Sequence, residues 1–287
     1  MKEAFADAII DTLKLIPFLF VTYLLMEILE HKTSEKTKHG VEKAGHLGPL
    51  FGGLLGAVPQ CGFSAAAASL YSGKVITAGT LIAIFLSTSD EMLPIMISER
   101  TGLGFIVKVL LTKAVIGITA GFIVDAVVKI YDRRKSVAHD FTKETHEHHH
   151  CDTEDGIFVS SLKHTAGTVL FIFIFSVLIN ILVESFGIEK LSGLIFNKLF
   201  IGQVLTGLIG LIPNCAASIV LTEMYLTGVI GFGQMMSGLL VGAGVGIMVL
   251  IKNNKNAKEN LRIIITLYLL GVLFGTLLEF LPASLFA

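Results

Sequence analysis

The sequence has no tryptophan, three cysteines and six prolines in 287 residues, and charged residues make up only 16% of it. Each shortage excludes something. A soluble domain carries about 25% charge, so this chain lacks the polar residues to cover a core of its size with a wetted surface. The formal net charge of -1 leaves no basic excess to hold phosphate, and no nucleic-acid partner is expected. Cys61, Cys151 and Cys215 are far apart and odd in number, which excludes a disulfide framework and a CxxC zinc pattern. A phosphate-cradling Walker A loop is missing, and no nucleophile–base pair stands out, so neither an enzyme nor a cofactor is expected.

Hydrophobic residues fill the gap: they make up 53% of the chain, and its mean hydropathy is +0.76. Apolar runs of about 20 residues, the length of a membrane span, recur throughout. Uninterrupted spans are expected near residues 8–29, 103–128, 161–183 and 263–281. The first carries Asp7 and Asp11 and ends without a small-residue cleavage site, so it reads as a retained helix. Between the spans lie two long apolar regions, 47–97 and 199–251, each broken by polar residues or proline. One polar stretch, 131–160, reads as a mobile linker. The 29 glycines suit helices that pack backbone to backbone in lipid.

The chain repeats itself. Shifting it by 154 residues superposes Pro59 on Pro213, Cys61 on Cys215, Ser64 on Ser218 and Tyr71 on Tyr225. Nine of the 24 positions in 53–76 are identical to their counterparts. The same offset, without a gap, pairs Glu30 with Glu184, Gly117 with Gly271, Gly121 with Gly275 and Asp125 with Glu279. Cytoplasmic loops are enriched in Lys and Arg, and here the bias flips between the halves. The loop after the first span holds Lys32, Lys36, Lys38 and Lys43, whereas its counterpart holds Lys190 and Lys198, offset by Glu184 and Glu189. The Glu99-Arg100 loop is neutral, whereas its counterpart holds Lys252, Lys255, Lys258 and Arg262. The expectation is an all-α integral membrane protein, an inverted repeat of two five-helix halves whose broken or re-entrant helices meet near the midplane. Its parts are a first membrane repeat at 1–130, a cytoplasmic His-rich linker at 131–160 and a second membrane repeat at 161–287, with both termini outside. Within each interrupted region, either a re-entrant hairpin plus one span or three short crossings satisfies the parity.

Candidate site residues follow from the breaks. Backbone groups freed by proline at membrane depth are tolerated only where protein or a water-filled cavity satisfies them. Gln60 and Cys61 follow Pro59, and Asn214 and Cys215 follow Pro213. Proline kinks with packed cysteines are the competing reading. A second break, Ser87-Thr88-Ser89-Asp90-Glu91, is closed by Pro94. Carboxylates at membrane depth are costly and mark ion or proton pathways. The oxygens of Ser87, Ser89, Asp90 and Glu91 suit a hard cation, and the thiols of Cys61 and Cys215 suit a softer one. A solvated helix cap at the membrane edge is the alternative. The second half has glycines, 242–246, in place of the acids. Glu223 either lines the pathway or lies near an interface, and Met92, Met96, Met235 and Met236 read as packing or as soft ligands. His146, His148, His149, His150 and Cys151 in the linker are candidate transition-metal ligands, or else part of a solvated linker.

The Pro-Gln-Cys-Gly-Phe-Ser segment at 59–64, the Ser-Thr-Ser-Asp-Glu-Met-Leu-Pro segment at 87–94, the Pro-Asn-Cys-Ala segment at 213–216 and the His-rich linker together resemble the ten-transmembrane-helix heavy-metal exporters of prokaryotes, variously labelled arsenic-efflux-like or manganese transporters. The resemblance spans nearly the full chain and implies export of a metal or metalloid from a prokaryotic inner membrane. The expected function is a secondary transporter working by alternating access, with Asp90 or Glu91 exchanging protons for a divalent ion such as manganese or a softer, arsenite-like species. A homo-oligomer is compatible with this arrangement. Two other readings stand beside it: a transporter of a small organic anion bound at half-helix termini, and a non-transporting membrane metal sensor working through the His tract.

Overall fold

The computed structural model describes residues 16–17, 19–21, 23–24, 47–57, 61–89, 92–136, 157–186, 200–213 and 215–280. Every regular element among them is helical. In chain order these are α1 (Gly48–Gly56), α2 (Cys61–Ser72), α3 (Ala78–Ser87), α4 (Met92–Ser98), α5 (Leu103–Ser136), α6 (Ile157–Phe186), α7 (Ile201–Gly210), α8 (Cys215–Leu226), α9 (Phe232–Val241), α10 (Val245–Asn253) and α11 (Ala257–Glu279). Among the described residues, four stretches are long and apolar enough to cross a membrane: Ala78–Ser98, Leu103–Tyr131, Phe232–Asn253 and Ala257–Glu279. The first and third of these are broken spans, α3 with α4 and α9 with α10.

The helix ends fall at the breaks that residue chemistry marks. Pro59 separates α1 from α2, Pro213 separates α7 from α8, and Ser87 ends α3. The bounds recur at the 154-residue spacing: α2 on α8, and α3 on α9, residue for residue. Local details recur as well. The turn after α2 is closed by the amides of Gly73 and Val75 bonding to the carbonyls of Ser69 and Leu70, and the turn after α8 by Thr227 and Val229 bonding to Glu223 and Met224. Both turns place a residue in the left-handed region, Lys74 at φ 58° and Gly228 at φ 76°. Asp125 accepts from the Gly79 amide at 2.8 Å, and Glu279 accepts from the Gly233 amide at 2.7 Å. Asp125 also accepts from the Thr77 hydroxyl at 2.7 Å. These carboxylates satisfy amides orphaned at the starts of α3 and α9. Asp125→Ala is expected to cost about 1–2 kcal/mol, as for a lost helix cap. Thermal unfolding in detergent checks this, and an unchanged midpoint would remove the capping role.

One difference from the sequence reading concerns residues 257–262, expected in a loop. They form the first turns of α11. The Asn256 side chain accepts from the Glu259 amide at 3.3 Å and starts the helix there. A run rich in Lys and Glu resembles a loop by composition, yet it is good helix-forming sequence. In the same way, α5 carries the basic residues 129–135 as its last turns, running on to Ser136.

Packing directions come from residue pairs. Gly48 lies against Thr80, Gly52 against Ile84, and Gly56 against Ile84 and Ser87, so α1 runs alongside α3 in the same direction. In the second half, Gly202 lies against Gln234 and Gly210 against Gly238, so α7 runs alongside α9 in the same direction. The chain turns back between α1 and α3, through α2. That helix packs against the other half: Ser64 meets Gly246 and Ser69 meets Asn253, so α2 and α10 run the same way. Its repeat counterpart α8 packs against α4. The halves therefore interlock through their hairpins.

Polar bonds fasten one end of this interlock. The Tyr71 hydroxyl donates to Glu259, the Lys74 ammonium pairs with Glu259 at 3.0 Å, and Asn253 donates to Tyr23 and Ser69. At the positions 154 residues away the chemistry is aromatic: Phe105 stacks on Tyr225 and Phe232 packs edge-on against both, with ring centroids 5.8–6.1 Å apart. The outer faces of α5 and α11 expose apolar stripes at matching positions, Val107 with Leu261, Leu111 with Ile265, and Val115 with Leu269. Such continuous exposed apolar surface belongs against lipid.

Candidate functional site

The breaks of the two halves meet at a cavity of about 20 Å³, room for one water or one dehydrated ion. Thr88, Ser89 and Met92 line it from the α3–α4 break, Gly210 and Ile212 from the end of α7, Ala217 and Ser218 from α8, and Gly238, Leu239, Gly242 and Gly244 from the α9–α10 break. Lys113 of α5 closes the lining.

Lys113 is the residue that sequence reasoning missed. It is 1% exposed. Ten residues separate it from Leu103, the start of α5. At 1.5 Å per residue that is about 15 Å, half of a hydrocarbon core about 30 Å thick. Its ammonium donates to the carbonyl of Thr88, and to the carbonyl of Leu239 at 2.9 Å. A buried ammonium without acceptors costs several kcal/mol, and the helix breaks supply them. The Thr88 carbonyl lies just past the end of α3 at Ser87. At the other break the Ala243 amide turns to Val241 at 2.8 Å rather than to Leu239. Both carbonyls also lie at C-terminal helix ends, where the backbone dipoles favour a cation. Lys113 therefore ties the two halves together at their breaks. The rule that flags Asp90 as an intramembrane charge applies equally to a lysine within residues 103–128, and would have found it.

The second half contributes backbone in place of side chains. Gly244 has φ 52°, a conformation that a side chain disfavours. The carbonyl oxygens of Gly238, Leu239 and Gly210 lie 3.4, 3.6 and 3.8 Å from where a side chain on Gly242 would begin. A Cβ on Gly210 would overlap the Gly238 carbonyl oxygen, and one on Gly56 would lie 2.7 Å from the Ile84 carbonyl oxygen. The hairpin helices thus press onto the broken helices backbone to backbone, a fit that needs glycine.

Of the residues singled out from sequence, Ser87 and Ser89 are buried at the α3 break. Ser89 lines the cavity; Ser87 donates to the Lys113 carbonyl at 3.5 Å. Cys61 and Cys215 are the first residues of α2 and α8, and their side chains lie outside the described set. Gln60, Asp90, Glu91, Asn214 and the linker residues His146, His148, His149, His150 and Cys151 also lie outside the described residues. Met92 reaches the cavity, whereas Met96, Met235 and Met236 pack in the apolar core. Glu223 is exposed near the end of α8. Among the described residues, no three His, Cys, Asp or Glu side chains cluster as a metal site.

A family model described as "Putative, 10TM heavy-metal exporter" matches residues 2–202. No curated protein and no solved structure matches.

Proposed function

Because this chain belongs to the 10TM heavy-metal exporter family, a family of multi-pass membrane proteins, we propose that it exports a metal or metalloid ion by alternating access through the midplane cavity. The observation that carries this reading is the cavity itself. It joins the breaks of both halves and has room for one ion, and Lys113 in its lining lies ten residues into α5, about half a hydrocarbon core from Leu103. Its lining supplies oxygen donors from Thr88 and Ser89, the Ser218 hydroxyl and the Met92 thioether. Asp90 and Glu91 follow Ser89 directly in the chain. Gly244, the counterpart of Asp90 under the 154-residue offset, lines the cavity. We assign Asp90 and Glu91 as anionic ligands and proton exchangers, with Gln60, Cys61, Ser87, Ser89, Asn214 and Cys215 completing the site. A cavity this small disfavours an organic anion.

The inverted arrangement has physical support. α1 runs in the direction of α3 and the chain turns back through α2 between them, which supports the reading of residues 47–72 as the re-entrant hairpin. α2 runs against α3 but along α10, so the α9–α10 span runs opposite to α3–α4. Each half then crosses an odd number of times, which the flipped Lys/Arg bias also requires. In this topology the linker 131–160 is cytoplasmic and both termini face outside a prokaryotic inner membrane. The polar contacts around Glu259 close the cytoplasmic face, and the Phe105–Tyr225–Phe232 stack closes the outer one.

The test is a metal-sensitivity screen. Deletion of the gene should sensitise cells, and overexpression protect them, for at least one of manganese, zinc, iron and arsenite. Unchanged growth across all four would refute the reading. Deleting residues 144–152, which removes the His tract, is expected to leave export within about twofold of the full chain. Loss of all metal response on that deletion would favour a sensor.

A further inference from the structure

Resting on the reading of the cavity as a metal pathway, we propose that the carbonyl cluster at the two helix breaks is a cation subsite, and that the Lys113 ammonium is a tethered occupant displaced by the transported ion. The Thr88 and Leu239 carbonyls, one from each half, already converge on a cation, the lysine's own. The Gly210 and Gly238 carbonyl oxygens lie beside Leu239 around the bare Cα of Gly242. A set of carbonyl oxygens with the Ser89 hydroxyl at its edge is the ligand chemistry of a hard cation.

Among the described residues that line the cavity, Lys113 is the one charged side chain. A metal ion entering here therefore meets the ammonium in a cavity sized for a single occupant. The two cations exclude one another by charge and by volume. When the metal leaves, the lysine returns to the carbonyls, so the emptied site never exposes unpaired backbone at membrane depth. The lysine thus stabilises the unloaded transporter and favours release. The repeat counterpart of Lys113 is Leu267, buried in the core, so the second half has no such device.

The experiment measures Mn²⁺ and Zn²⁺ binding to the purified, detergent-solubilised full chain by calorimetry, for the native protein, Lys113→Gln and Lys113→Arg. At an effective dielectric of about 20, a unit charge about 4 Å away changes affinity for a second charge by roughly a thousandfold. Relaxation leaves an expected change of at least about tenfold. Lys113→Gln should bind metal at least about tenfold more tightly. Lys113→Arg, whose charge is permanent and bulkier, should bind at least about tenfold more weakly. A well-folded Lys113→Gln protein that binds as the native chain does, or more weakly, overturns the proposal. If Lys113→Gln fails to elute as a folded species, Lys113→Arg decides alone, and native-like binding overturns the proposal. Binding of neutral arsenous acid without either cation would keep the transporter and overturn the tethered-cation subsite. Absence of binding by all three species overturns both.

Discussion

Replacing Gly210 with valine is expected to abolish export by breaking the packing of α7 on α9 within the second half. The Cβ would overlap the Gly238 carbonyl oxygen, and that oxygen is held in the backbone by the Gly242 amide at 3.0 Å. Neither partner is a side chain that can rotate away. Overpacking of this kind costs about 3 kcal/mol or more, and here it would push α7 off α9 at the cavity wall. The expected result is loss of the monodisperse species in detergent, or a large fall in its unfolding temperature. Gly104→Val is the control: nothing lies within 4 Å of the position its Cβ would take, and it should be neutral. A stable, active Gly210→Val protein would mean that the hairpin does not rest on the broken helix as described.

The second large effect concerns charge. Asp90→Asn and Glu91→Gln preserve shape and remove one negative charge each. At an effective dielectric of about 20, losing an anionic ligand about 4 Å from a cation weakens binding by roughly 10²–10³-fold. Each variant is expected to lose metal export to that degree while accumulating normally in the membrane. Efflux from loaded vesicles measures it. If both variants export at the native rate, the carboxylates are helix caps and the cation is held by carbonyls and hydroxyls alone. The pH dependence separates the roles further. The proton-exchanging residue is the one whose substitution leaves residual flux insensitive to an imposed pH gradient.

The position of the candidate cavity was legible in part because breaks in apolar helices require unusual residues. Pro59, Pro213 and the hydroxyl run 87–89 cannot be lost in an apolar background, and helices end at each of them. The offset of 154 residues was legible through Pro, Cys and Tyr, which are rare in this composition. Lys113 was not, because two lysines, Lys108 and Lys113, do not lower the apolarity of a 26-residue window enough to interrupt it. Its meaning depends on two carbonyls that are freed far away in the chain. The packing of Gly210 on Gly238 was equally hidden: glycine frequency announces close backbone approach, but not which helix approaches. The first turns of α11 were hidden by composition, since Lys, Glu and Asn serve a helix start as well as a loop.

These residues also locate the asymmetry between the halves. Proline breaks and glycine contacts occur in both. The charged residue of the described cavity lining, Lys113, belongs to the first half and stands opposite Leu267, and the proposed ligands Asp90 and Glu91 stand opposite Gly244 and Val245 in the sequence. The ends of the interlock differ as well, ionic around Glu259 and aromatic around Phe105.

The most direct measurement of the central claim is metal flux in proteoliposomes containing only this protein. Vesicles preloaded with a fluorescent metal indicator and challenged with Mn²⁺, Zn²⁺ or arsenite should show saturable, protein-dependent entry of at least one of them. That entry should fall to the protein-free rate with Asp90→Asn. Saturable flux that ignores the Asp90 and Lys113 substitutions, or no flux of any of the three under an imposed pH gradient of either sign, would contradict the account.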